Sequence, residues 1–204
     1  LGATSGELVW QYQSPDQIRC SPAIAEGVTF IAGCDGRLHV VDCETGKETA
    51  SVELGDPTGS TPAVAGSSVY VGTEGNRFFA VDWKSGKVTW TFENRRRPAA
   101  FRSSAAVTGD LVFVGSRDKV VYALERAGGA ERWSFQTRGR VDGSAVVAGE
   151  RVYIGSADGF LYSLDVRSGE KKWEFETGGA ILASPAVANG SLVIGTDDGD
   201  LYCF

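Results

Sequence analysis

A five-bladed all-β propeller is the fold this sequence predicts. Three observations lead there: one block recurs five times at a near-constant step, turn residues punctuate it at fixed places, and its first and last fragments are in phase. The recurrence is clearest in a tryptophan column of Trp10, Ala50, Trp90, Trp133 and Trp173, whose steps are 40, 40, 43 and 40. Self-similarity at this period marks a solenoid, propeller or array. Turn glycines stand four residues ahead of that column at Gly6, Gly46, Gly86, Gly129 and Gly169. Ser21, Thr61, Ser104, Ser144 and Ser184 open the inner segments. An Asp-Gly or equivalent turn then leads into a column of His39, Phe79, Tyr122, Tyr162 and Tyr202.

Taken in order, residues 1–12 supply a turn and one predicted strand, Leu8 to Tyr12, which is the last part of a repeat. The next repeat predicts three short strands within residues 21–42, separated by Glu26-Gly27 and by Cys34-Asp35-Gly36. Asp-Gly between β-rich runs signals a hairpin, because the turn needs positive φ and Gly adopts it without penalty. The outer strand of this repeat carries Ala50 in the tryptophan column, which makes its blade the least well pinned. Second, third and fourth repeats each predict four strands, ending in Val88 to Glu93, Glu131 to Gln136 and Lys172 to Glu176. The fifth has three, the last at Leu201 to Phe204. A fourth strand is available from the segment around Trp10. Closure by that strand would remove two exposed sheet edges, and five blades cut from a ring of seven or eight is the alternative. We therefore expect a single domain over 1–204, with repeats about 1–40, 41–80, 81–123, 124–163 and 164–204, and a monomer.

Composition agrees with a globular chain: 42% hydrophobic, 23% charged and 10% aromatic, enough at 204 residues for a substantial core. No apolar run approaches the roughly 20 residues that span a membrane. The net charge of −6 argues against general nucleic-acid binding. The absence of an initiating Met and of a signal segment suggests a processed chain or an excised piece. Cys20, Cys34, Cys43 and Cys203 lack CxxC spacing, so zinc is not expected. Cys34 and Cys43 fall in turns at opposite ends of a blade, and the four cysteines are expected unpaired.

The repeat resembles the pyrroloquinoline-quinone-type (quinoprotein-like) β-propeller family, whose blades carry a tryptophan-docking motif of Ala-x-Asp-x-x-Thr/Ser-Gly-x-x-x-Trp. Ala80, Asp82, Ser85, Gly86 and Trp90 match at every position. Ser163, Asp165, Ser168, Gly169 and Trp173 match with one substitution, and the third junction has Glu125 in place of Asp. The resemblance implies that Trp10, Trp90, Trp133 and Trp173 are structural docking residues. An indole offers about 150–250 Å² of burial and an N–H that seeks an acceptor. It also brings to mind quinone-dependent dehydrogenases, but their eight blades, calcium ligands and adjacent cysteines have no counterpart here. No cofactor, metal or catalytic residue is expected. His39 sits in an aromatic column and is read as a packing substitute. Asp197-Asp198-Gly199-Asp200 could collect calcium but occupies the ordinary Asp-Gly turn. Family resemblance implies a bacterial scaffold or sensor in the periplasm or outside the cell.

One departure from the repeat carries functional information. From the tryptophan column to the next Ser or Thr there are 11 residues in four cases but 14 from Trp90 to Ser104. The extra residues lie in Glu93 to Arg102, which contains Arg95, Arg96, Arg97, Phe101 and Arg102. Arg138 and Arg140 come from the next equivalent loop, and Arg117 and Lys119 from a turn on the same face. Guanidinium groups pair bidentately with carboxylate or phosphate, so this patch predicts docking of a protein or acidic peptide. A small anionic ligand in the axial pocket is the alternative, followed by a fragment of a quinone-dependent dehydrogenase.

Overall fold

The structure, a computed structural model, describes residues 4–204. Leu1–Ala3, which belong to the expected closing segment, lie outside the described residues. Nineteen strands form five antiparallel sheets in strict chain order, with no helix among the described residues. The first sheet is β1 (Ala23–Ala25), β2 (Val28–Ala32), β3 (Arg37–Asp42) and β4 (Glu48–Glu53). The second is β5 (Ala63–Ala65), β6 (Ser68–Gly72), β7 (Arg77–Asp82) and β8 (Lys87–Glu93). β9 (Ala106–Thr108), β10 (Leu111–Gly115), β11 (Val120–Glu125) and β12 (Glu131–Gln136) make the third. The fourth holds β13 (Val146–Ala148), β14 (Arg151–Gly155), β15 (Phe160–Asp165) and β16 (Lys171–Glu176). The fifth has three strands, β17 (Ala186–Ala188), β18 (Ser191–Gly195) and β19 (Leu201–Cys203).

The two middle strands of the first four blades are largely apolar runs buried on both faces, whereas β18 alternates between buried and partly exposed positions and β19 is mostly exposed. Phe30, Val40, Val69, Val81, Val112, Val121, Val152 and Leu164 are all at most 1% exposed. Inner strands begin two or more residues later than predicted, for a reason visible in the hydroxyl column. Ser21 N–H donates to Thr61 Oγ1 at 3.2 Å, Thr61 N–H to Ser104 Oγ at 2.9 Å, Ser104 N–H to Ser144 Oγ at 3.0 Å and Ser144 N–H to Ser184 Oγ at 2.9 Å. These residues serve the junction between blades instead of the ladder within one. Neighbouring inner strands accordingly pack in the order β1, β5, β9, β13, β17.

The predicted closure by an N-terminal strand is not what the structure has. Leu8 to Tyr12 forms no strand, and β19 is paired only with β18. Trp10 instead donates its indole N–H to Cys43 O of the first blade at 2.7 Å. The segment thus keeps the position of an outer strand that precedes blade one, without joining the last sheet. Gly6 and Gly46 both adopt left-handed φ, but a Cβ on Gly46 would lie 2.6 Å from the Trp10 ring whereas a Cβ on Gly6 would meet nothing within 4 Å among the described residues. In a ring closed by this segment, repeat spacing would set Gly6 against the Trp173 indole.

Candidate functional site

The docking motif works through the turn that follows each third strand. Asp42 accepts backbone N–H bonds from Glu44 and Thr45, Asp82 from Ser85, and Asp165 from Arg167 and Ser168; for Asp82 the Ser85 hydroxyl and then its N–H, and for Asp42 and Asp165 chiefly the backbone N–H bonds, hold the carboxyl below its ordinary value. The next turn along receives the tryptophan of the preceding blade. Trp90 Nε1 donates to Arg126 O at 2.8 Å and Trp133 Nε1 to Val166 O at 3.0 Å, each indole lying over a glycine, Gly129 or Gly169. Trp173 departs from the pattern. It is half-buried, packs on Tyr153 and Phe204 at 5.8 Å, and its indole N–H has no acceptor among the described residues.

His39 is 2% exposed and fills its aromatic column as the sequence suggested, while also carrying polar ties. Its Nε2 lies 2.8 Å from Asp35 and its Nδ1 2.7 Å from Glu48. Tyr162 makes the equivalent tie to Asp158 at 2.8 Å, and Tyr122 to Asp118. In both tyrosines burial, followed by the carboxylate partner, pushes the phenol well above its ordinary value. The histidine therefore replaces a phenol that braces the Asp turn. Asp198 and Asp200 likewise serve a turn, with Thr196 donating to the Asp198 carboxylate. All four cysteines are free.

The structure divides the predicted arginine patch into separate parts. Phe101 is not an exposed anchor: it is fully buried against Phe78, Phe92 and Tyr122, with ring centroids 5.8–6.1 Å away. Its N–H donates to Thr73 O, as Val141 N–H does to Ser116 O and Ile181 N–H to Ser156 O. These three plug the blade junctions. Their spacing, three residues before Ser104, Ser144 and Ser184, is a column that the sequence displays and that the charge pattern obscures.

Arg102 is committed to Glu74 at 2.8 Å. Arg140 and Arg117 converge on Asp142 at 3.0 and 2.8 Å. Arg138 lies 5.3 Å over the Phe160 ring, and its N–H donates to Asp158. None of them pairs with the Arg95–Arg97 turn, so the single patch expected from loops on one face is not formed. Burial raises the Asp142 carboxyl, but Arg117 and Arg140 outweigh that and hold it below its ordinary value. A depressed folded value stabilises above the unfolded value, about 3.9, and the contribution is lost as pH falls through the folded value. Asp142→Asn should therefore cost about 1 kcal/mol at neutral pH. The difference in melting temperature from wild type should begin to shrink below about pH 4 and vanish only once pH falls below the depressed folded value.

What remains is a turn of three exposed arginines held from beneath by Asn94. Asn94 Oδ1 accepts the N–H groups of Arg96 and Arg97 at 3.0 and 3.3 Å, while its Nδ2 donates to Asp118 at 2.6 Å and to Tyr122 at 2.7 Å. Asp118 is 7% exposed. Arg95 lies 3.6 Å from Glu93, Arg97 donates to Gln136 Oε1 at 3.1 Å, and the Arg96 guanidinium has no partner among the described residues. The turn borders a groove of about 650 Å³ between blades two and three, with Phe92, Tyr122, Ser134 and Gln136 among its lining.

Fold and site together define a repeat β-propeller with docking tryptophans and one elaborated junction. The family described as "Outer membrane protein assembly factor BamB" matches residues 1–204, and the chain belongs to it. Among solved structures, BamB from Moraxella catarrhalis superposes with a TM-score of 0.85 at 23% identity, covering 97% of this chain and 64% of that one. The computationally designed Ika8 protein has the same TM-score at 16% identity, covering 98% and 62%. Among curated proteins, serine/threonine-protein kinase AfsK of Streptomyces griseus is 35% identical over 112 residues. Beta-alanine-activating enzyme of Danio rerio is 30% identical over 89. Those matches cover 50% and 40% of this chain and only 13% and 8% of the two relatives.

Proposed function

We propose that this chain is a non-catalytic propeller scaffold or sensor module that binds a protein or acidic peptide at the Arg95–Arg97 turn, in the periplasm or outside the cell. The observation that carries the reading is the Asn94 brace. A flexible arginine run loses side-chain and backbone freedom on binding, whereas this turn is held in place by four hydrogen bonds before any partner arrives. Arginine is also among the residues that dominate interface energies. Membership of a family named for an assembly factor agrees with a role in protein contacts. Non-catalytic character is supported by His39, the one histidine of the chain, whose two ring nitrogens are both engaged by carboxylates.

The test replaces Arg95, Arg96 and Arg97 together by Ser and titrates a capped acidic peptide by fluorescence anisotropy at low and high salt. An unchanged melting temperature is expected, because none of the three is buried. Affinity should fall at least tenfold, and the salt dependence of the wild type should flatten. Arg102→Ser is the control, since Arg102 already has Glu74. Equal affinities for wild type and triple variant would end the proposal.

A further inference from the structure

We infer that the segment recognised at this site is extended and adds as a strand to the open edge of β12, with its acidic side chains confined to the end nearest Arg97. The inference rests on the arginine reading above and adds to it the backbone that receives the partner. β12 is the outermost strand of its sheet, paired only with β11. Thr137 N–H donates to Lys119 O at 2.9 Å, and the register continues with Val120 opposite Gln136 and Tyr122 opposite Ser134. Antiparallel pairs alternate between bonded and non-bonded. Starting from the bonded Lys119–Thr137 pair, the residues at 135 and 133 bond inward, and Ser134 and Gln136 turn their N–H and C=O groups to the open edge.

Every four-stranded blade has such an edge, but this one is faced by the arginine turn across the groove. A strand places alternate side chains on opposite faces. A segment laid on β12 would therefore send every second side chain toward the groove, where carboxylates meet the guanidinium groups. The charge of the groove changes along its length. Arg97 crosses to Gln136 at one end, whereas Glu131 lies at the other and accepts a hydrogen bond from Ser134 Oγ at 2.7 Å. Glu131 would repel a carboxylate, so the acidic positions belong to one end of the segment. Backbone pairing supplies affinity and the groove-facing side chains supply selection, as in other strand-addition modes.

The experiment compares four labelled octapeptides of alternating polar and valine residues, measured by fluorescence anisotropy on the whole chain. One carries aspartate in its first half, one in its second half, and one carries lysine instead. The fourth repeats the better aspartate peptide with N-methyl groups on its pairing edge. One aspartate peptide should bind at least fivefold tighter than the other, the lysine peptide at least tenfold more weakly, and the N-methyl peptide at least tenfold more weakly. On the protein, Ser134→Pro, which removes one outward N–H, should reproduce the N-methyl loss while Ser134→Ala does not. If the N-methyl peptide binds as well as its parent, strand addition is overturned while the arginine reading stands, provided the Arg95–Arg97 variant still loses affinity. If that variant binds all peptides equally to wild type, both fall. Absence of peptide binding together with self-association weakened by Ser134→Pro would overturn the acidic partner in favour of a second copy of this chain.

Discussion

Trp133→Ala is expected to lower unfolding free energy by about 3–5 kcal/mol, and Trp173→Ala by less than half of that. Both occupy the same sequence column, so the repeat alone predicts equal effects. Trp133 is 8% exposed, its N–H donates to Val166 O, and its ring covers Gly169. Removing it opens a cavity between two blades and orphans a carbonyl. Trp173 is half-buried and its N–H has no acceptor among the described residues, with one side against Tyr153 and Phe204 at the edge of the fifth sheet. Its loss removes contacts without emptying a closed junction. Denaturant midpoints of the two variants decide the matter, and similar shifts would mean that the indole of Trp173 is docked in solution.

The second large effect concerns the junction where the tryptophan column reads Ala50. An empty slot there would make Ala50→Trp stabilising, but the slot is not empty. In other blades the column indole packs against an aromatic of the second strand: Tyr70 with Trp90 at 5.8 Å, Phe113 with Trp133 at 5.6 Å. The corresponding Phe30 is met edge-on at 5.4 Å by Trp83, which reaches across from the turn of blade two and donates to Gly66 O at 3.1 Å. Trp83 and Ala50 pack against the same core cluster. A new indole at Ala50 would find open space above Gly86 but would compete for Phe30. Ala50→Trp alone should therefore destabilise by about 1–3 kcal/mol through overpacking, and Trp83→Ala alone by about 2 kcal/mol. The double variant should recover most of both losses, giving a coupling that additive sites do not show. Additive costs would mean that the two side chains do not share the site.

These two cases show where repeat reading succeeds and where it stops. Strand order, blade count and the positions of turns were legible because each rests on local chemistry: β-branched runs, Asp caps and glycines in left-handed φ. The Asp82 cap and the Trp90 dock follow the motif directly. The arginine site was legible in part. Arg95–Arg97 stand out by loop length, but charge alone could not separate them from Arg102, Arg117 and Arg140, which are spent on Glu74 and Asp142. Nor could it show that Phe101 is core or that Asn94 is the brace.

By itself, then, the sequence determined that this protein is an all-β array of five like units with tryptophan docks between them, because period, turn chemistry and apolar runs act over a few residues. Only the tertiary structure decided which docks are made, since a dock needs a turn of another blade beneath it. Trp10 finds the turn at Cys43, while Trp173 and Gly6, equal to their siblings in sequence, face no such partner among the described residues. Likewise, Arg102 and Arg117 are withdrawn by carboxylates that lie 28 and 25 residues away in the chain and within 3 Å in space.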